Sequence, residues 1–231
     1  MHQNDNVELF EFILKDFDDN GILGDFILIG SWVLRVYSYH FENDPQIPLV
    51  ATQDLDLLVT NPPEVSREVD IPKLLRKYDL EEEHSFLDGF SKFVSPDFEV
   101  EFLYPDKGRG NPKGKIIKSF SIIATPLRYM SFIQDNSMQM EYKQFSLRVP
   151  MPTVFVIMKY LLVKKRKPGD MDKITKDIST AKELEFFLLE NGKQDDFICY
   201  FKKMPKKWQR DLLKILKENV SELVEVFKDI I

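Results

Sequence analysis

Apolar residues along the first third of the chain recur first with a helical and then with a strand-like spacing. Residues 7–17 place large apolar side chains on one helical face and are followed by Asn20 and Gly21, which predicts an amphipathic helix ending at the glycine. The continuous apolar run Phe26–Ile29 predicts a buried strand, after which the helical spacing returns. A polar loop then leads to a second predicted strand over residues 55–59. The predicted order is helix, strand, helix, loop and strand.

The rest of the chain changes from short strands to long helices. The strand-like runs, of which the first two predict a hairpin around a Pro-Asp turn, cover residues 91–95, 98–104, 120–124 and 145–149. From Thr153 onward the spacing of apolar residues is helical. The predicted helices cover residues 154–163, 172–189, 195–202 and two stretches between 208 and 231. The pattern therefore predicts an α/β core of residues 1–150 and a helical domain of residues 151–231.

The composition is that of an ordinary globular protein. With 231 residues, 43% of them hydrophobic, the chain is long enough to bury a core without metal or disulfide staples. The single cysteine, Cys199, excludes an internal disulfide and cysteine-based zinc motifs, which favours a reducing cytoplasm. The N-terminus lacks the pattern of a signal peptide, and no apolar run approaches the ~20 residues that span a bilayer. We therefore expect a cytoplasmic protein that is not inserted in a membrane.

The formal net charge of −6 argues against a protein that wraps duplex nucleic acid by charge alone. Positive charge is nevertheless concentrated locally, at residues 164–167 and 202–210. Such runs are more often solvated helix faces than binding surfaces, so both interpretations stay open.

Two aspartates on the second predicted strand are the first candidates for chemistry. Successive strand residues rise ~3.3 Å, so Asp54 and Asp56 stand roughly 6.6 Å apart on one face, while the leucines between and after them enter the core. Like charges so close favour a cation between them. The alternative is a half-buried strand with a polar outer face.

Gly30 and Ser31 follow the first predicted strand and open the helix predicted over residues 32–40. With Ser31 as its N-cap, the helix would direct unpaired backbone N–H groups outward, an arrangement that binds phosphate. A simple turn between a strand and a helix explains the pair equally well when it is taken alone.

A second pair of acids alternates with apolar residues over residues 98–103. Glu99 and Glu101 share one face of that strand, and either would meet the two aspartates if the strands are neighbours. Three oxygen ligands with open positions suit Mg²⁺, which takes a few carboxylates together with substrate phosphates. A solvated strand face is the alternative.

These residues, Gly30-Ser31, Asp54-Leu55-Asp56 and Val100-Glu101-Phe102, resemble in order and context the nucleotidyltransferase superfamily of DNA polymerase β. Further residues are similar to bacterial minimal nucleotidyltransferases with a helical C-terminal region, which are related to the toxins of abortive-infection systems: residues 124–129, residues 149–152, Lys159, Arg166, Lys176 and Asp177. The resemblance implies an α+β fold, with a mixed β-sheet core flanked by helices and followed by a helical C-terminal region.

The resemblance also implies roles for individual residues. Asp54 and Asp56 would coordinate two Mg²⁺ ions, Glu101 would complete the site of the catalytic ion, and Gly30 and Ser31 would hold the triphosphate. The chain departs from the usual pattern in two ways. The interval between the serine and the aspartates is longer, and the third carboxylate is a glutamate where aspartate is commoner.

Two lysines are implied as partners of the β- and γ-phosphates. They are Lys159 and Lys176, with Asp177 as an ion-pair residue that orients a helix. A lysine that snorkels from the core edge explains Lys159 as well, and a solvated helical charge explains Lys176.

The function implied is Mg²⁺-dependent transfer of a nucleoside monophosphate from an NTP such as ATP to a hydroxyl acceptor, with release of pyrophosphate. The sequence leaves the acceptor open among an RNA 3′ end, a protein hydroxyl and a small molecule. The alternative is a noncatalytic nucleotide sensor or partner-binding module, for example one half of a toxin–antitoxin pair, that docks a protein partner through its C-terminal helices. A glycine-rich basic loop over residues 107–115 is expected to close over substrate.

Overall fold

The computed structural model describes residues 2–84, 90–106, 113–164, 166 and 169–230. Most of the predicted substrate loop, residues 107–112, lies outside the described residues. The expectation that this loop closes over substrate therefore stays a prediction.

Helices and strands are mixed as far as Pro150, and among the described residues only helices follow. The helices are α1 His2–Asp19, α2 Val33–His40, α3 Ile71–Leu75, α4 Met130–Asp135, α5 Pro152–Val163, α6 Met171–Glu190, α7 Gln194–Lys203, α8 Lys206–Glu218 and α9 Leu223–Val226. The strands are β1 Phe26–Ile29, β2 Asp54–Val59, β3 Glu81–His84, β4 Ser91–Ser95, β5 Phe98–Pro105, β6 Lys115–Ile117, β7 Ile122–Leu127, β8 Ser137–Tyr142 and β9 Phe145–Pro150.

The strands form a mixed sheet in the order β3-β4-β5-β2-β1-β9-β8, with β7 paired to β5 and β6 to β7. The pairs β1–β9, β2–β5 and β5–β7 are parallel, and the others are antiparallel. The predicted fold class, a mixed sheet flanked by helices and followed by C-terminal helices, is confirmed.

The chain divides into two compact units. Unit 1 comprises residues 1–42 and 49–150 and contains the sheet, and unit 2 comprises residues 43–48 and 151–231 and contains α5 to α9. None of the helices in the described ranges combines the length and the apolarity that a bilayer crossing requires. The division into domains of residues 1–150 and 151–231 stays a prediction.

Phenylalanines fill one face of the sheet in unit 1. Phe26 on β1 lies 5.6 Å from Phe102 on β5 between ring centroids, and Phe17 on α1 lies 5.5 Å from Phe26. These three side chains are at most 2% exposed. Helix α1 therefore covers this face, and burying its aromatic rings stabilises the sheet by roughly 1.5–3 kcal/mol for each side chain.

One local prediction is wrong. Ser31 does not cap α2, because the helix begins at Val33, its N-cap position is Trp32, and no side chain caps it. The residue at the N-cap position usually has an extended backbone and a polar side chain that caps the helix. Trp32 has neither, because its φ of −62° and ψ of −24° are helical and its side chain makes no capping hydrogen bond. Ser31 instead belongs to the turn between β1 and α2, where its carbonyl accepts a hydrogen bond from Leu34 N at 3.2 Å.

Candidate active site

The parallel pairing of β2 with β5 brings four carboxylates onto one face of the sheet. Asp54 lies opposite Glu99, and Asp56 lies opposite Glu101. Neighbouring strands are ~4.8 Å apart, and directly paired residues point to the same side. On the other side of the sheet, Leu55 is fully buried. The alternation of acid and leucine along β2 thus separates a charged face from an apolar one.

Gly30 lies against the carboxylate of Asp56. Ile29, the last residue of β1, pairs with Asp56, and Gly30 follows it with φ +69°, in the left-handed region. A Cβ added to Gly30 would overlap Oδ2 of Asp56 and would lie 3.1 Å from its Cγ. Only glycine combines this backbone conformation with so close an approach.

Trp32 adds a polar group near this turn that the sequence did not single out. Its indole is 4% exposed and stacks on Phe10 with ring centroids 4.4 Å apart. Its Nε1 is buried and has no hydrogen-bond partner within the described part of the chain. A buried donor that stays unpaired costs roughly 1–3 kcal/mol.

Burial raises the pKa of Glu101, and the charges of Glu99 and Asp54 raise it further. The hydroxyl of Thr125 on β7 and the ammonium of Lys92 oppose this shift. Thr125 Oγ1 is itself buried, and within the described residues no group forms a hydrogen bond of regular geometry with it. Glu101 is therefore a half-buried carboxylate whose ionised form is costly unless positive charge is supplied beside it.

Lys92 is a second residue beside the candidate site that was not predicted from the sequence. It lies opposite Glu101 in the β4–β5 pair, and its Nζ donates a hydrogen bond to Glu99 Oε2 at 2.7 Å. This hydrogen bond is the main cause of the raised pKa of Lys92. The signal was available, because the predicted hairpin with a two-residue Pro-Asp turn already sets this register. Glu99 thus has its own cation, which leaves Glu101 as the carboxylate beside Asp56.

Hard oxygen donors are what Mg²⁺ prefers, and Asp54, Asp56 and Glu101 supply them from two neighbouring strands. As the side chains stand, no group of three or more His, Cys, Asp or Glu residues within the described ranges forms a site that could hold a metal ion. The backbone positions suit a shared cation, and the side chains would have to turn toward it.

Lys159 and Lys176 belong to unit 2. Lys159 on α5 is 9% exposed, and its Nζ donates to Asp177 Oδ1 on α6 at 2.8 Å. Arg166 donates to Oδ2 of the same carboxylate from Nη2 at 2.8 Å and from Nε at 3.1 Å. Asp177 therefore joins two cations, while Lys176 is exposed on α6. The sequence did not predict that Arg166 shares this carboxylate, because the contact depends on the turn between the helices.

A family model described as Nucleotidyltransferase matches residues 10–204. The chain is also similar to the solved structure of an antigenic nucleotidyltransferase-like protein from Paracoccidioides brasiliensis, with 12% identity, a TM-score of 0.50, and coverage of 98% of this chain and 94% of that chain. A second similar structure is that of the antibiotic-resistance factor ANT(2'')-Ia, with 10% identity, a TM-score of 0.44, and coverage of 87% and 98%. No curated protein matches the sequence. At such identity, the likeness to the first structure concerns the fold alone.

Proposed function

The chain belongs to the nucleotidyltransferase family and is a transferase, and from this premise we propose that it moves a nucleoside monophosphate from an NTP to a hydroxyl acceptor on the carboxylate face of β2 and β5. The observation that carries the proposal is the position of Asp56, which lies between Gly30 on one side and Glu101 on the other. A fold alone does not select a function, but this arrangement supplies the parts that nucleotidyl transfer requires.

We assign Asp54, Asp56 and Glu101 as ligands of two Mg²⁺ ions. Bound there, the ions would supply charge stabilisation for the phosphoryl oxygens. The raised pKa of Glu101 supports the assignment, because a bound cation favours the ionised form that burial disfavours. Lys92 holds Glu99 at 2.7 Å, so that Glu99 does not compete with Glu101 for the cation.

The remaining residues bind and orient. Gly30 leaves room for the carboxylate of Asp56, whose Oδ2 occupies the place that a Cβ would take. Gly30 remains, with Ser31, our proposed contact of the triphosphate. Ser31 offers a hydroxyl that caps no helix and can donate to a phosphate oxygen. In the reaction, the acceptor oxygen bonds to the α-phosphorus, the bond to pyrophosphate breaks, and the hydroxyl proton leaves to solvent. Lys159 and Lys176 remain our proposed partners of the β- and γ-phosphates.

The proposal is tested by titration calorimetry of a nonhydrolysable ATP analogue, with and without Mg²⁺. The native chain should bind in Mg²⁺ and lose at least tenfold in affinity in EDTA. The double variant Asp54→Asn with Asp56→Asn should lose the Mg²⁺-dependent part of the affinity. Glu99→Gln is the matched control on the same face, since Glu99 is assigned no metal, and it should bind within about threefold of the native chain.

Two results would overturn the assignment. One is equal affinity in Mg²⁺ and in EDTA, and the other is a double variant that binds as tightly as the native chain. Loss of binding in Glu99→Gln together with retention in Glu101→Gln would show that the wrong glutamate was chosen. Circular dichroism of each variant distinguishes a lost site from a lost fold.

A further inference from the structure

The junction of α7 and α8 in unit 2 forms a strongly positive surface, which we call the basic surface. It comprises residues at the end of α7 and in the first turns of α8: Lys202, Lys203, Lys206, Lys207 and Arg210. All five side chains are exposed. Only Met204 and Pro205 separate the two helices, so these charges lie close together whatever their rotamers.

Among the residues that the structure describes, no carboxylate neutralises the positive charge of the basic surface. Within the described ranges, none of its five residues has an Asp or Glu oxygen within 4.0 Å. Asp211 is the single acid between residues 197 and 217, and Lys164 Nζ holds it at 2.6 Å. The same segment contains seven lysines and arginines, although the whole chain has a net charge of −6. A solvated helix face would more often pair its charges at i and i+4.

The positive charge continues along α8 as a stripe. Lys206, Arg210, Lys214 and Lys217 are spaced by four, four and three residues, which places them on one side of the helix. Lys214 is paired with Glu218 at 3.8 Å, so it adds less to the positive charge than the others. Leu212 and Leu216 are buried on the opposite side. At a rise of 1.5 Å per residue the stripe is about 16 Å long, enough to follow several successive phosphates of one strand.

Aromatic side chains lie among these cations. Lys203 Nζ is 4.7 Å from the centre of the Tyr200 ring, and Trp208 is half-buried between Lys207 and the buried Gln209. Proteins that bind single-stranded nucleic acid combine aromatic rings with cations, because the bases stack on the rings while the phosphates contact the charges.

We infer that the basic surface binds single-stranded RNA, and that this RNA presents the hydroxyl acceptor. The second half of the inference rests on the proposed function, since it names the acceptor of the same reaction. A single strand suits this surface better than a duplex, because only unpaired bases can stack on a ring such as that of Tyr200, which lies beside Lys203.

The test is fluorescence anisotropy of a labelled 20-nucleotide unstructured RNA with the full chain, in EDTA and without NTP, at several salt concentrations. The variant replaces Lys202, Lys203, Lys206 and Lys207 by glutamine. Each lost phosphate contact should lower the slope of log affinity against log salt by about 0.7, so the four changes should flatten it by up to about 3. Affinity at 50 mM salt should fall at least tenfold.

A matched control replaces four exposed lysines elsewhere, Lys15, Lys73, Lys118 and Lys182, by glutamine, and should bind RNA within about twofold of the native chain. The inference is overturned if the native chain does not bind RNA, if the two quadruple variants bind alike, or if polyglutamate displaces the RNA as effectively as unlabelled RNA does. The last result would identify an acidic protein as the partner.

Failure of this inference is distinguishable from failure of the proposed function. The basic-surface variant should keep the Mg²⁺-dependent affinity for the ATP analogue. The Asp54→Asn, Asp56→Asn variant should keep its affinity for RNA. Incubation with α-labelled NTP should label the RNA only with the native chain and the control, and labelling that persists at native rates in the basic-surface variant would show that this surface does not hold the acceptor.

Discussion

At the scale of single residues, Gly30 leaves no room for a side chain. Gly30→Ala should reduce nucleotidyl transfer by about 100-fold or more, because the new Cβ displaces the Asp56 carboxylate and an ångström of misplacement is enough for such a loss. It should also cost about 1–2 kcal/mol of stability from the left-handed backbone. Steady-state kinetics and urea unfolding measure the two effects separately.

Two other glycines supply the controls for this substitution. Gly192 has φ +71°, and no atom lies within 4 Å of the place that a Cβ would take. Gly192→Ala should therefore lower the free energy of unfolding through backbone strain and leave the activity unchanged. Gly24 has open space and an ordinary backbone, so Gly24→Ala should change neither quantity. If Gly192→Ala lost as much activity as Gly30→Ala, backbone strain alone would explain both losses. The contact of residue 30 with Asp56 would then have no effect on activity.

Glu101 should make the metal-free protein less stable as the pH rises. Its pKa in the fold is raised by burial above the ordinary 4.5, so the fold favours the protonated form. The stability from this group is present below about pH 4.5 and is lost as the pH rises through the raised pKa. Glu101→Gln stays neutral throughout. In EDTA its melting temperature should exceed that of the native protein at pH 8, and the two should converge at pH 4.

An equal melting temperature of Glu101→Gln and the native protein at pH 8 would contradict this prediction. Glu99→Gln is the control in the opposite sense, because it removes the partner of Lys92 and should not stabilise the protein. Activity of Glu101→Gln in Mg²⁺ should be lost at both pH values, which separates the catalytic role of the residue from its effect on stability.

The placement of several residues of the proposed site could be predicted because its signal is local. The period of two along a strand places Asp54 and Asp56 on one face, and a glycine at the end of an apolar run marks a turn. Lys92 was missed although the hairpin register implies its place. Thr125 lies within residues 124–129, which contribute to the family resemblance, but its approach to Glu101 had no local signal. That approach depends on the pairing of β7 with β5, which are far apart along the chain.

At the scale of elements, strands without an apolar pattern were not predicted from the sequence. Glu81–His84 contains three glutamates and a histidine, so nothing in it suggests a sheet, and it pairs at the edge where both faces can be polar. Phe120 was assigned to a strand but lies in a short helical turn, and β7 begins at Ile122. The long C-terminal helices were predicted within a few residues, because many turns of helical spacing give a strong signal.

The cluster around Asp177 joins α5, α6 and the chain between them, and it makes a prediction of its own. Asp177→Asn should lower the free energy of unfolding by about 3 kcal/mol, because Lys159 is left buried without a counter-charge. Replacing Asp177 by leucine together with Lys159 by methionine should restore most of it, since neither buried position then carries a charge and the guanidinium of Arg166, whose side chain is 35% exposed, can turn to water. Urea unfolding gives these values.

The exposed pair Lys214 and Glu218, 3.8 Å apart, is the control for this cluster, and Glu218→Gln should cost at most about 0.5 kcal/mol. A cost equally small for Asp177→Asn would contradict the electrostatic account of the buried cluster. If the leucine–methionine variant regained stability but lost affinity for the ATP analogue, Lys159 would have a role in phosphate binding besides its role in packing.

At the scale of the whole molecule, average charge conceals opposite local charges. Unit 1 presents four carboxylates on one sheet face, and unit 2 presents the basic surface, within a chain whose sequence pI is about 5.3. Composition therefore predicted poor binding to duplex nucleic acid, and it could not show where the remaining positive charge collects. The family, in contrast, was recognisable from three short motifs between Gly30 and Phe102, and the family model matches residues 10–204.

Residues 43–48 belong to unit 2 although the chain on both sides of them belongs to unit 1. During synthesis they leave the ribosome about a hundred residues before residue 151, and at 5–20 residues per second that interval lasts roughly 5–20 s. Ile47 is 3% exposed in the folded protein, but during that time residues 151–231 of unit 2 have not yet been synthesised. The nascent chain must therefore keep Ile47 without its final neighbours during that interval, and unit 2 is completed only when its earliest-made segment joins residues that are made later.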